Sequence, residues 1–272
     1  LGHGGLIFLL GDDVLANDGA VEIKAQGAQN ALPNKNLGQG SPSDFADTHT
    51  TIADVSLPHG GRLTLGANGG NANVEGIQFD NPGNILLNGG AFGRGGTFAL
   101  QNADQTLAAD THIAGSGTID LRGGDDTTTD GDIDFLPGAA GGHLMVLIWS
   151  DGTLSVNKNI DLAGGSNSHG PGGSGGRIDI HLGKNSTVTT TFTGTWNING
   201  GASTHANGNG GNAGVLLIGD NAEEGAEFLG GISLDNLEVL ANGGAGALLG
   251  GHGGQMSIDN DFDGTLNYTI SL

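Results

Sequence analysis

Short apolar strands bracketed by glycine doublets are the feature that most restricts what this chain can fold into. Residues 159–182, NIDLAGGSNSHGPGGSGGRIDIHL, hold one alternating segment that runs into a glycine-rich stretch and another that runs out of it. The entering half recurs as ILLNGG at 85–90, IDLRGG at 119–124, IDLAGG at 160–165, WNINGG at 196–201 and VLANGG at 239–244. The leaving half recurs as GGRLTL at 60–65, GGTFAL at 95–100, GGHLMVLI at 141–148, GGRIDI at 175–180 and GGQMSI at 253–258. Such a frame marks an array of similar units, since one unit alone cannot bury its apolar face and needs neighbours to cover it.

Inside the frame the side chains alternate. In RIDIHL, Ile178, Ile180 and Leu182 fall on one face and Arg177, Asp179 and His181 on the other, the pattern of a half-buried strand. Ile119 with Leu121, Ile160 with Leu162, and Trp196 with Ile198 repeat it. The runs 6–10, 144–149 and 215–218 are apolar at consecutive positions, so those strands are expected to be covered on both faces. Between 175 and 201 the pattern reads as three strands, RIDIHL, STVTTTFTG and TWNI, before the next glycine stretch. No segment has helical period. The predicted fold is all-β, a repetitive parallel β-solenoid (β-helix) forming a single elongated repeat domain over 1–272. An antiparallel β-sandwich with a glycine-rich layer is the alternative.

The glycine stretches count 8 residues at 89–96, 13 at 164–176, 12 at 200–211 and 12 at 243–254, a near-constant length that fits stacked elements better than slack loops. Glycine allows backbones to approach closely, and a run of it adopts an extended polyproline-II-like form rising about 3.1 Å per residue. Stacked, polyglycine-II-like segments that hydrogen-bond laterally over the strands are therefore expected. Flexible glycine loops are the competing expectation.

The opening LGHGGLI resembles LGGHGGQM at 249–256, and the last segment, from DGTL at 263–266 to residue 272, meets no further doublet. The chain thus reads as beginning and ending mid-repeat. The expected partner is the chain itself, a homopolymer joined head to tail through these half-repeats, because a heterologous contact that does not close makes a filament. Uncapped ends also expose unpaired strand groups.

Eight basic against 29 acidic residues leave a net charge of −21, which repels nucleic acid and anionic lipid. Nucleic acid is therefore not an expected partner. The lack of cysteine excludes disulfides, thiolate metal sites and thiol catalysis. The longest apolar run, 144–149, is far too short for a membrane-spanning helix.

Asp259, Asp261 and Asp263 alternate before Gly264, like the first half of a calcium loop, and would offer Ca²⁺ the oxygen ligands it prefers. Ile270 stands where an EF-hand needs its bidentate Glu, so a complete EF-hand is excluded, and a solvated acidic turn is the other reading. Asp130, Asp132 and Asp134 alternate too, but Phe135 replaces the glycine of the turn. The pairs Asp12–Asp13 and Asp125–Asp126 are what a solenoid acting on polysaccharide would use, although no basic partner stands beside them at repeat spacing. His169, His205 and His252 recur at similar places in successive glycine stretches and are candidates for a titrating or metal-binding column. No catalytic residue is assigned.

The segments IDLAGG, GGRIDIHL and DGTLSVNKNIDLAGG at 151–165 are similar to the repeat regions of filamentous haemagglutinin-like exoproteins and other giant glycine-rich bacterial surface proteins, over most of residues 60–272. That resemblance implies a right-handed parallel β-solenoid, export to the cell surface, and adhesion or matrix building, with no catalytic residues to carry over. The glycine stretches here are longer than in those families. The expected function is a non-enzymatic extracellular structural protein, forming a filament or part of a surface adhesin, with extracellular glycan as a further partner. A polysaccharide-binding or polysaccharide-degrading β-solenoid is the alternative.

Overall fold

The computed structural model describes residues 4–11, 14–17, 23–26, 60–67, 76–80, 83–102, 111–126, 136–148, 152–182, 189–220, 231–258 and 265–267. These residues are all-β and form two parallel sheets. The first holds β1 (Leu6–Gly11), β4 (Arg62–Ala67), β7 (Thr97–Asn102), β9 (His143–Ile148), β11 (Arg177–Leu182), β13 (Val215–Asp220) and β15 (Gln255–Ile258), in that order. The second runs through β2 (Val14–Asn17), β5 (Gly76–Asp80), β8 (Thr111–Asp120), β10 (Thr153–Asp161), β12 (Thr189–Asn197), β14 (Gly231–Leu240) and β16 (Thr265–Asn267). The short β3 (Ile23–Lys24) and β6 (Ile85–Leu86) extend it beside β8.

Every strand pair among the described residues is parallel. The antiparallel sandwich is therefore set aside, and the architecture is compatible with a β-solenoid or β-helix. Parallel neighbours require a crossover; from β4 to β7 it runs through β5 and β6, and from β9 onward it is one strand of the other sheet followed by a glycine stretch. The chain passes from β9 to β10, through 162–176, and into β11; it then repeats this path through β12 and 198–214 into β13.

Each such unit holds two strands, not three. The segments TTTFTG and TWN are one strand, β12, bent where Gly194 takes φ of +99° and where its pairing with β14 shifts register between Thr191 and Thr193. Gly115 in β8 has φ of +117°, and β8 shifts against β10 between Asn157 and Asn159. A positive φ is open to glycine at little cost, so these strands turn without breaking.

The core lies between the two sheets and is one contiguous cluster running from Ala25 to Leu234. Its rows follow the register: Leu63, Phe98, Leu144, Ile178 and Leu216 on the first sheet, and Ile85, Ile119, Ile160 and Trp196 on the second. Trp196 is fully buried, donates its indole N–H to the Lys158 carbonyl at 3.2 Å, and meets Phe192 edge-on with ring centroids 5.4 Å apart. The aliphatic residue two places before the doublets at 89, 123, 164 and 200 (Leu87, Leu121, Leu162 and Ile198) closes the core. The consecutive apolar runs of β9 and β13 are not sealed on both faces as expected, and the side chains of 8–10 lie outside the described residues. Met145, Leu147, Val215 and Leu217 point away from the core and remain half-buried.

Candidate functional site: the glycine-rich layer and its polar seams

Each glycine stretch leaves the second sheet as an outgoing limb and comes back to the first sheet as a returning limb. Outgoing limbs bond to the next outgoing limb at equivalent positions. Leu121, Gly123 and Asp126 donate to Asp161, Ala163 and Ser166; Leu162, Gly164 and Asn167 to Asn197, Asn199 and Ala202; and Ile198, Gly200 and Ser203 to Leu240, Asn242 and Ala245. Returning limbs do the same every third residue: Gly138 and Gly141 donate to Pro171 and Ser174, Gly172 and Gly175 to Asn209 and Asn212, and Gly210 and Ala213 to Leu249 and His252.

The two columns are also tied to each other. Gly173 and Gly176 donate to Gly165 and Leu162 of their own stretch, as Gly211 and Gly214 do to Gly201 and Ile198, and Gly251 and Gly254 to Gly244 and Ala241. Gly165, Gly201 and Gly244 in turn donate to Ala139, Gly173 and Gly211 of the preceding stretch. Buried peptide groups that lack a strand ladder are satisfied in this way by neighbouring limbs. Contact this close leaves no room for side chains: a Cβ on Gly165, Gly173, Gly201 or Gly211 would fall within 3.0 Å of backbone atoms of an adjacent limb. Several non-glycine positions face outward, as Ser166, Ser168 and Ser174 do, whereas Ala139, Asn167 and Ser203 are buried within the layer. In the short stretch 89–96, Phe92 takes φ of +58° in a turn closed by Gly93 N–H to Gly90 O, and packs with Ala91 and Leu136 into a small cluster of its own.

Polar side chains fasten the turns onto this layer. At the ends of β8, β10 and β12, Asp120, Asp161 and Asn197 accept the amide two residues on, from Arg122, Ala163 and Asn199. Asn197 also donates to Asp161 across the stack at 3.0 Å. Asn199 accepts the Asn242 amide, and Asn212 the His252 amide. Buried Asn167 donates to the carbonyls of Leu136 at 2.5 Å and Pro171 at 2.9 Å and accepts the His169 amide, serving three backbone groups at once.

Asp125 and Asp126 belong to this fastening. Asp125 accepts the Ser166 amide; Asp126, whose side chain is shielded from water, accepts the amide and hydroxyl of Ser168 and lies 2.5 Å from His169 Nδ1. His169 and His205 sit in register at the tips, where the Thr204 amide donates to the Asn167 carbonyl. His252 does not extend that column, because it lies on a returning limb, accepting from Ala213. Asp259, Asp261 and Asp263, like Asp12–Asp13 and Asp130, Asp132 and Asp134, lie outside the described residues. No group of three or more His, Asp or Glu suited to a metal occurs among the described residues.

Two charged clusters were not anticipated. Arg122 grips Asp120 with two bonds, of 3.0 and 2.8 Å, and reaches Asp161 at 3.7 Å. The Asp120 hydrogen bond, reinforced by the surrounding carboxylates, raises the Arg122 pKa against the opposing effect of burial. Burial raises the Asp161 pKa, and the Ala163 amide and Arg122 only partly offset it. On the outer face of the first sheet, Asp179 receives Arg177 at 2.6 Å and His143 at 2.8 Å. Burial pushes the Asp179 pKa up, but the Arg177 and His143 hydrogen bonds outweigh it and hold the carboxyl below its usual range. The signal for this cluster was in the sequence: His143 and Arg177 each follow a glycine doublet directly, and the register sets them side by side.

No protein-family model, curated protein or solved structure matches the chain. No described helix is long and apolar enough to cross a membrane, which leaves membrane β-barrels untouched.

Proposed function

We propose that this chain is a non-enzymatic extracellular structural protein: a β-solenoid whose glycine stretches form a polyglycine-II-like second layer, acting as a protomer of a filament or as part of a surface adhesin. The observation that carries this reading is the matched register of strands and glycine limbs, unit after unit. A lattice of this kind adds units at constant spacing and gains backbone bonds with each, which suits a load-bearing rod. The placement of Asp125 and Asp126 supports it, since carboxylates available to a polysaccharide-cleaving site are here engaged with Ser166, Ser168 and His169. The resemblance to haemagglutinin-like repeats points to the same class and to the cell surface. Electron microscopy of the purified protein tests the reading: rods or fibres are expected, and compact globular particles would contradict it.

A further inference from the structure

Basic side chains are scarce in this chain, eight against 29 acidic, yet two of them share one row with a histidine on the outer face of the first sheet. Arg62, Thr97, His143 and Arg177 each follow a glycine doublet directly, and the register sets them side by side on β4, β7, β9 and β11. Their chain neighbours Leu63, Phe98, Leu144 and Ile178 are buried in the core, so strand alternation turns the row outward. Among the described side chains of that face, Asp179 is the only carboxylate.

Both arginines are held in the same way. Arg62 donates its Nε–H to Thr64 at 3.1 Å, and Arg177 donates its own to Asp179 at 2.6 and 2.8 Å. Each partner stands two residues further along the same strand and is buried, Thr64 at 3 % exposure and Asp179 at 6 %. Asp179 also accepts from Nε2 of His143. These bonds leave the terminal Nη fork of each guanidinium, and Nδ1 of His143, without a partner among the described residues. That fork is the edge with which an arginine grips a carboxylate through two parallel bonds.

We infer that this row binds an acidic polysaccharide, a chain of uronate sugars laid across the strands with its carboxylates on the Arg62 and Arg177 forks and on His143 between them. Neighbouring strands lie about 4.8 Å apart, so the two arginines stand roughly 14 Å apart, with His143 one strand from Arg177. Cations spaced this widely match a polymer that carries at most one charge per sugar. They are too few for a nucleic-acid strand, whose phosphates are denser and which the net charge of −21 repels. Because Thr64 and Asp179 fix both guanidiniums before a ligand arrives, little side-chain freedom is left to lose on binding. Asp179 acts here as a positioning residue. The site rests on the structural-protein reading in its adhesin form, and gives that adhesin a ligand class and a binding face.

Affinity electrophoresis in gels cast with polygalacturonate tests the row. The protein should be retarded at low salt, and the retardation should fade as added salt screens the exposed charges. The fully methyl-esterified polymer keeps the sugar backbone without the charge and should retard nothing, and dextran sulfate should retard less than polygalacturonate. Arg62→Gln removes one fork without touching Asp179 and should weaken binding about threefold. Thr97→Glu sets a carboxylate inside the row and should weaken it at least about tenfold. Both variants should keep the native circular dichroism spectrum. Undiminished retardation of Thr97→Glu, or retardation by the esterified polymer or dextran sulfate equal to that by polygalacturonate, would overturn the site. Rods that bind no polygalacturonate sink the site and leave the structural reading standing, whereas compact globular particles that bind it through Arg62 sink that reading and leave the site.

Discussion

The strand layer and the glycine layer occupy the same units of the chain and are held together by different forces. Between the sheets, large side chains such as Trp196, Phe98 and Phe192 are withdrawn almost completely from water, and burial of apolar area provides the cohesion. Between the limbs almost no side chains are packed, and cohesion comes from peptide groups bonded in several directions, with Gly165, Gly173, Gly201 and Gly211 set too closely for a Cβ. The contrast shows why the glycine doublets stand where they do. They mark where the chain leaves a layer that needs large residues and enters one that excludes them.

The largest break should come on the strand side. Trp196→Ala leaves a cavity and removes the indole hydrogen bond to the Lys158 carbonyl, and should cost about 3–5 kcal/mol in denaturant unfolding. On the glycine side the smallest possible addition should cost less in total but more per atom. Gly173→Ala forces a methyl against the Ala139 carbonyl and the Gly138 backbone, an overpacking worth about 1–3 kcal/mol. If it proves neutral, the limbs are not packed as described. Asn167→Ala strips partners from the Leu136 and Pro171 carbonyls and the His169 amide, and should destabilise by about 1–3 kcal/mol, nearer the lower end if water reaches the tip.

Smaller effects separate the two charged clusters by pH. The carboxyl of Asp179 is held below its unfolded value, so its contribution is present above about pH 4 and is lost as pH falls through the folded pKa. Asp161 is raised, so protonation favours its folded state and acid reduces its penalty. Stability measured against pH should therefore lose part of its acid-side decline in Asp179→Asn and show a steeper decline in Asp161→Asn. The smallest change is expected at the open edge, where Gly253→Ala meets no obstruction and should be neutral or stabilise by about 0.4–1 kcal/mol through the unfolded chain.

Much of the strand layer was legible in the sequence because alternation and burial are the same fact read twice. Ile178, Ile180 and Leu182, placed on one face by pattern, are all buried. The two-strand unit was not legible, since TTTFTG and TWN look like separate strands until Gly194 is seen to carry the bend. The half-buried outer faces of β9 and β13 also escaped, because a run of apolar residues records what a strand tolerates on its second face without recording whether anything covers it. The nearly constant length of the glycine stretches announced a stacked element, but its bonding pattern depends on which limb lies beside which. The Arg177–Asp179–His143 cluster was hidden for the same reason: it is assembled by the register between units and not by any spacing within one.

The account rests most heavily on the glycine limbs being a hydrogen-bonded layer, and native-state amide hydrogen exchange tests this directly. The amides of Gly165, Gly173, Gly201 and Gly211 should exchange as slowly as those of Ile178 and Ile180 in β11. Exchange of these glycines at the rate of an open loop, with the strands still protected, would contradict it.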